Sequence, residues 1–269
     1  TATHSYQLSV DNTAPAPVTV TSPSPGCVVS GQVQFSVNSS DSLSGVQSIE
    51  YSAPDGGSDS FTGSDSGTLD WDTTGLNGTK SVDFTATDGA GNAQTTSYSF
   101  DVDNAGPTIT IENFSTSGPN YATGTLQVDI NASDSPAGID EVRLLEPGGS
   151  GNVADSDTSG NTTLEWDSSG SGGSTVTLTV EAEDTQGNTS TTSFPVTIDN
   201  TAPTNLSFDN LSPQDVVSGT SQPVDVSATD NGSGIDTLQL EDAASPATTL
   251  GTLNSNAGTI NWNTTNYYD

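Results

Sequence analysis

The chain has 269 residues, of which 34 are Asp or Glu and 2 are Lys or Arg, giving a formal net charge of −32. Nucleic-acid binding needs cationic side chains to displace phosphate counterions. Lys80 and Arg143 are the whole supply, which excludes nucleic acid and, on the same ground, an anionic membrane surface.

Taken in chain order, residues 1–12 read as a strand closing on Val10-Asp11-Asn12. This stretch holds the single histidine, His4, so any Ser-His-Asp triad would have to be built there. Cys27 is the single cysteine, which excludes a disulfide within the chain and a Cys-based zinc site. Met is absent, position 1 included, so the chain is expected to begin inside a longer precursor. Apolar alternation of period two then predicts strands over 33–37, 82–86, 98–102, 128–130 and 176–180. No run approaches the roughly 18 apolar residues of a membrane span.

These strands recur in register. Val10-Asp11-Asn12 returns as Val102-Asp103-Asn104 and Ile198-Asp199-Asn200, the aspartates lying 92 and 96 residues apart, and Pro15, Pro107 and Pro203 follow. Asp-x-x-x-Gly plus an apolar residue occurs at Asp41–Val46, Asp134–Ile139 and Asp230–Ile235. Apolar-x-Trp occurs at Leu69-Asp70-Trp71, Leu164-Glu165-Trp166 and Ile260-Asn261-Trp262, and Asp-x-x-Gly-Asn at Asp88–Asn92 and Asp184–Asn188. A hydrophobic content of 29 % with high charge is a composition that can leave a chain disordered; apolar residues recurring in register argue for folded modules instead. Turn clusters at roughly 8–12 residue intervals predict about seven strands per module. The expected fold is all-β: tandem immunoglobulin-like β-sandwich domains in a linear array. The expected divisions are 1–12 (last strand of a preceding module), 13–104, 105–200, and 201–269 (a module lacking its C-terminal strands). Trp71, Trp166 and Trp262 are assigned to the cores, where a buried ring supplies part of what an inter-sheet disulfide would.

The stretches ATDNGSGI (228–235), TATDGAGN (85–92) and DNTAP (11–15 and 199–203) resemble the tandem bacterial and archaeal Ig-like modules of surface adhesins and S-layer proteins. The resemblance covers essentially the whole chain and implies a cell-surface setting. DVDNAGP (101–107) also looks like a cadherin linker, but the other acidic cadherin motifs are missing.

In such a sandwich the second-to-third and sixth-to-seventh strand loops return to the pole where the chain comes in. That places Asp41, Asp88 and Asn92 beside Asp11 and Asn12. It places Asp134, Asp184 and Asn188 beside Asp103 and Asn104, and Asp230 beside Asp199 and Asn200. Converging oxygens suit a hard cation, and calcium accepts 6–8 of them in tolerant geometry. The same residues are also ordinary turn formers, because Asp and Asn bond their own backbone and Gly supplies positive φ. Both readings stand at this point.

The remaining carboxylates are assigned to solvent faces. A net charge of −32 makes a compact fold repel itself in dilute buffer, and roughly molar salt cuts the Debye length to about 3 Å, so a halophilic origin is expected. An acidic, calcium-rich marine adhesin is the alternative. Ten Asn-x-Ser/Thr acceptors occur, at Asn38, Asn77, Asn113, Asn131, Asn161, Asn188, Asn205, Asn210, Asn231 and Asn263.

No catalysis is expected, since each notable residue appears two or three times and active sites are single. Gly170-Ser171-Gly172-Gly173 lacks the Lys of a phosphate loop, and Arg143 is expected to pair with a neighbouring acid. The function read from the sequence is an extracellular stalk or filament segment, its partners other surface subunits or glycans, with homo-oligomers or filaments as candidate assemblies. The alternatives are a viral tail-fibre or decoration protein of a halophilic host, and an accessory region of a secreted hydrolase.

Overall fold

A computed structural model describes residues 3–114, 121–149, 151–243 and 248–267. Residues 1–2 and 268–269, the outer ends of the first and last expected segments, lie outside them. In the first module β1 (Thr19–Ser22), β3 (Gln32–Asn38) and β6 (Ser66–Asp72) form one sheet in the order β1-β3-β6. The opposing sheet takes β2 (Val28–Val29), β4 (Val46–Ser52), β5 (Ser58–Thr62), β7 (Gly78–Asp88) and β8 (Ala93–Val102) in the order β2-β8-β7-β4-β5.

The second module repeats this arrangement. Its strands are β9 (Thr108–Phe114), β10 (Tyr121–Ala122), β11 (Thr125–Ser133), β12 (Ile139–Leu145), β13 (Val153–Asp157), β14 (Asn161–Asp167), β15 (Thr175–Asp184) and β16 (Thr189–Ile198). They pair as β9-β11-β14 and β10-β16-β15-β12-β13. The strands expected from alternation lie within β3, β7, β8, β11 and β15. Eight strands form where about seven were expected, because the two-residue strands β2 and β10 add themselves parallel to the last strand of each module. All other pairings among the described strands are antiparallel.

Alternation sets the cores. Every second residue of β3 (Val33, Phe35, Val37) is buried between the sheets. Phe35 packs against the rings of Tyr51, Trp71, Phe84 and Phe100 at centroid distances of 5.8, 5.8, 5.1 and 5.0 Å. Burying each such ring stabilises by about 2–3 kcal/mol, which serves a sandwich whose one cysteine, Cys27, is free. The second core is more aliphatic, with Leu126, Ile130, Leu144, Leu164 and Leu178 around Trp166.

The third module has β17 (Thr204–Phe208), β18 (Gln222–Thr229) and β21 (Ala257–Trp262) in one sheet, and β19 (Leu238–Asp242) with β20 (Thr248–Leu253) in the other. The described residues hold no counterpart of the β7–β8 hairpin. Its core is therefore open: a cavity of about 350 Å³ lies among Phe208, Leu211, Val224, Leu240, Leu250 and Trp262. Trp262 is half-buried, and its indole N–H has no acceptor. Residues 3–12 form no strand, and Tyr6, Leu8 and Val10 are exposed; extended chain with no neighbouring strand has no ladder to join.

Candidate functional site: the module junctions

Two Asp-centred loops recur at each of the first two junctions, and their spacing has a local cause. In the loop opened by Asp41, one carboxylate oxygen accepts the N–H groups of Leu43, Ser44 and Gly45 at 3.0, 2.9 and 2.9 Å. Closing that ring needs Gly45 at φ +74°, a conformation that costs a residue with a Cβ. In the second loop Asp88 Oδ1 accepts from Ala90 and Asn92, and Asp184 Oδ1 from Gln186 and Asn188, at 2.7–2.9 Å. The Asn side chains then donate to the second oxygens of Asp88 and Asp184 at 2.8 Å. These are the turn bonds expected of Asx residues, and they fix the direction in which each carboxylate faces.

The linker aspartates complete the arrangement. Asp11 Oδ2 accepts from Ser44 N–H at 3.1 Å, and Asn92 Nδ2 donates to the Asp11 carbonyl at 3.2 Å. At the next junction Asp103 Oδ2 accepts from Ala137 N–H at 2.9 Å, and Asn188 Nδ2 donates to the Asp103 carbonyl at 3.2 Å. Carboxylate oxygens of Asp11, Asp41 and Asp88 all lie within 4.8 Å of one another, and so do those of Asp103, Asp134 and Asp184. Asp88, Asp103 and Asp184 are buried. At the third junction Asp199 Oδ2 accepts from Ser233 N–H at 2.6 Å, and Asp230 Oδ1 from Gly232 and Gly234. Among the described residues no third carboxylate joins that pair.

The two complete trios are not equivalent. Backbone N–H donors, led by Leu43, hold the Asp41 carboxyl below its ordinary value. Burial pushes Asp88 up, but the Asn92 side chain and the loop N–H groups outweigh it and the net direction is down. Asp134 is pushed up to about 6, first by burial, then by the close approach and charge of the Asp103 carboxylate and the charge of Asp184. The sequence explains the contrast. Where Leu43 donates, the second module has Pro136, which has no N–H; where Ser44 donates, Ala137 gives its N–H to Asp103. Asp134 Oδ2 is left buried with no hydrogen-bond partner.

The asparagines expected beside these carboxylates divide. Asn92 and Asn188 lie in the trios' loops. Asn104 and Asn200 turn to the module behind them. Asn104 Oδ1 accepts from Gly31 N–H at 2.8 Å, and its Nδ2 donates to the carbonyls of Thr73 and Leu76 at 2.8 Å. Asn200 does the same with Gly124 N–H and the carbonyls of Ser168 and Ser171, at 3.0, 2.8 and 2.9 Å. Asn12 is exposed.

Sequence reasoning passed over these receiving groups. The signal was present: Gly31, Gly124 and Gly219 recur 93 and 95 residues apart, and Thr73, Ser168 and Thr264 each stand two residues after a core Trp.

Of the Asn-x-Ser/Thr acceptors, Asn38, Asn161, Asn205 and Asn231 are exposed. Asn113 lies exposed on β9. Asn77 accepts from Asn104 N–H, Asn131 donates to Glu112, Asn210 pairs with Pro223 and Asp225, and Asn263 caps the short helix Thr264–Asn266. Asn188 spends its amide on Asp103 and Asp184. Arg143 pairs with three acids, Glu141, Glu181 and Glu183.

Residues 17–84 match the family model of a bacterial Ig domain. That segment runs through β1–β6 and into β7 of the first module, and the second module repeats its topology. The chain is all-β, a tandem series of Ig-like β-sandwiches. No curated protein matches it.

Solved structures similar to the chain include the CbhA fibronectin(III)-like modules of Clostridium thermocellum, at 20 % identity over 68 % of this chain and 94 % of that one, TM-score 0.36. A 1.5-MDa bacterial ice-binding adhesin aligns at 15 % identity over 93 % and 88 %, TM-score 0.44. A tetra-tandem repeat from the extending region of a large adhesion protein aligns at 19 % identity over 97 % and 69 %, TM-score 0.33. No helix among the described residues is long and apolar enough to cross a membrane.

Proposed function

We propose that this chain is a non-catalytic stretch of an extracellular stalk, of the kind that surface adhesins carry, whose modules are held in fixed orientation by calcium at their junctions. The observation that carries the reading is the repeated carboxylate trio, Asp11-Asp41-Asp88 and Asp103-Asp134-Asp184, each built from a linker and two loops of the following module. The bacterial Ig match over residues 17–84 supports a surface setting.

The donor set fits the ion. It is all oxygen, which favours hard divalent cations over zinc or copper. The orphaned Asp134 Oδ2 at the second junction is a buried anionic oxygen with no donor of its own. A divalent cation held there by Asp103, Asp134 and Asp184 would relieve the repulsion that pushes Asp134 upward. Because the three carboxylates come from a linker and two loops, neutralising them ties the linker to the next module. Asn92 and Asn188 then act as loop fixers.

Differential scanning calorimetry of the chain with calcium or chelator, at fixed ionic strength, tests the proposal. Calcium at about a hundred times its dissociation constant adds about 2.7 kcal/mol, or roughly 10–20 °C for a module of this size. Magnesium, which holds its waters more tightly, is expected to do less. Asp134→Asn should reduce the calcium increment of the second module and leave that of the first. Identical melting in calcium and chelator would remove the cation from the reading.

A further inference from the structure

The junction has a second half that the carboxylates do not touch. At each of the first two module exits a small socket is built from a Gly in positive φ and a Thr or Ser two residues after the core Trp. Thr73 N–H and Oγ1 both bond the Gly31 carbonyl at 2.8 Å, and Ser168 N–H and Oγ bond the Gly124 carbonyl at 2.8 and 2.7 Å. Thr73 and Ser168 are fully buried, and Gly31 and Gly124 have φ of +57° and +62°.

This pairing turns one N–H and two carbonyls toward a common point. A primary carboxamide matches that pattern, with one oxygen to accept and one NH₂ to give two hydrogen bonds. Asn104 and Asn200 each fill it on both sides. The third module carries the same pair: Thr264 N–H and Oγ1 reach the Gly219 carbonyl at 3.0 and 3.1 Å, and Gly219 N–H meets Thr264 Oγ1 at 2.8 Å. The Gly N–H thus takes an acceptor in all three modules, and in two of them the acceptor is an asparagine.

We infer that each of these exits is a carboxamide socket, and that Asn104 and Asn200 are positioning residues that pin the linker to the preceding module without the cation. This rests on the junction reading above for its forward half only. The anchors cross along the chain. Asp103, earlier in sequence, reaches forward to Ala137, while Asn104, the next residue, reaches back to Gly31. Gly106 then lies so close to Thr189 and Ser190 that the linker is also seated on the module ahead. Calcium removal is expected to free the forward contacts and leave the backward ones, so the module ahead swings while the linker stays docked behind.

The test uses the whole chain, with Cys27 replaced by Ser and nitroxide labels placed on the first and second modules. Distance distributions are read by pulsed electron resonance in calcium and in chelator, and calcium affinity is read by calorimetry. Asn104→Ala is expected to broaden the distribution in both conditions and to leave calcium affinity unchanged, whereas Asp134→Asn lowers affinity. Should wild type show no response to calcium, the cation reading fails, yet broadening by Asn104→Ala in plain buffer would still uphold the socket. A distribution identical to wild type in both conditions overturns the inference. So does a loss of calcium affinity matching that of Asp134→Asn, which would make Asn104 a ligand. If Asn104→Ala unfolds the first module, Asn77→Ala serves instead, since it removes only the 2.8 Å bond to the Asn104 N–H; no broadening with that variant also overturns the inference.

Discussion

Replacing Arg143 by Met keeps a long apolar stem on the sheet and removes one charge from a cluster of four. The guanidinium lies 2.6, 2.9 and 2.8 Å from Glu141, Glu181 and Glu183, all with side chains 25–30 % exposed. Exposed pairs contribute about 0.2–1 kcal/mol each, and three sharing one fork sum to about 2 kcal/mol. For a module of this size that is about 8–16 °C of melting temperature. The second module should lose this much in about 10 mM salt, where the Debye length is about 30 Å, and far less near 1 M, where it is about 3 Å.

Salt also stabilises wild type by screening a net charge of −32, so the quantity to read is variant minus wild type at each salt, by calorimetry. Acid gives a second check. Hydrogen bonds from Ser156 and then Arg143 hold Glu141 below its ordinary value. A depressed folded-state value contributes stability above the unfolded value and loses it as pH falls, so the difference should shrink in acid. A difference under about 1 °C at low salt, or one that grows with salt, would refute the ion-pair account.

Tyr51 is buried with its hydroxyl on the Asp70 carbonyl at 2.9 Å, and burial, with Asp59 next, pushes its phenol up to about 12. Since the folded-state value lies above the unfolded one, this stability is complete below about pH 10 and drains away up to about pH 12, amounting to roughly 2–3 kcal/mol; alkaline melts of Tyr51→Phe should lack that loss. Gly106→Ala would set a Cβ 2.5 Å from the Thr189 carbonyl oxygen and 2.6 Å from Ser190 Oγ. The linker must lift off β16, costing about 1–3 kcal/mol and weakening calcium binding at the second junction; unchanged calorimetry would refute the close fit. In hydrogen exchange β19 should lose protection long before β12, because among the described residues six apolar side chains are buried in the third core against fifteen in the second. Equal protection of the two strands would show that the open core is not the weak point.

The strands and cores were legible because two-residue alternation and a repeat near 95 residues act together: Phe35, Trp71 and Val128 are buried where the pattern puts them. The spatial grouping of Asp41, Asp88 and Asp11 was legible from topology, since loops on one pole must meet. The direction of an asparagine was not. Asn104 and Asn188 carry the same side chain at the same junction, and only the location of the Gly31 N–H sends Asn104 backward while Asn188 stays on Asp103 and Asp184. The upward push on Asp134 was likewise hidden, although Pro136 stood in the sequence as a missing donor. The short strands β2 and β10 escaped detection because two residues carry no period.

Those two short strands decide how a module answers tension. β2 runs parallel to β8, with Val28 opposite Asp101 and Val29 opposite Val102, and β10 runs parallel to β16 in the same manner. When opposite ends of a module are drawn apart, parallel neighbours slide lengthwise, and their bonds must rupture together rather than peel one after another. Resistance of that sort is a matter of unfolding rate rather than of equilibrium stability.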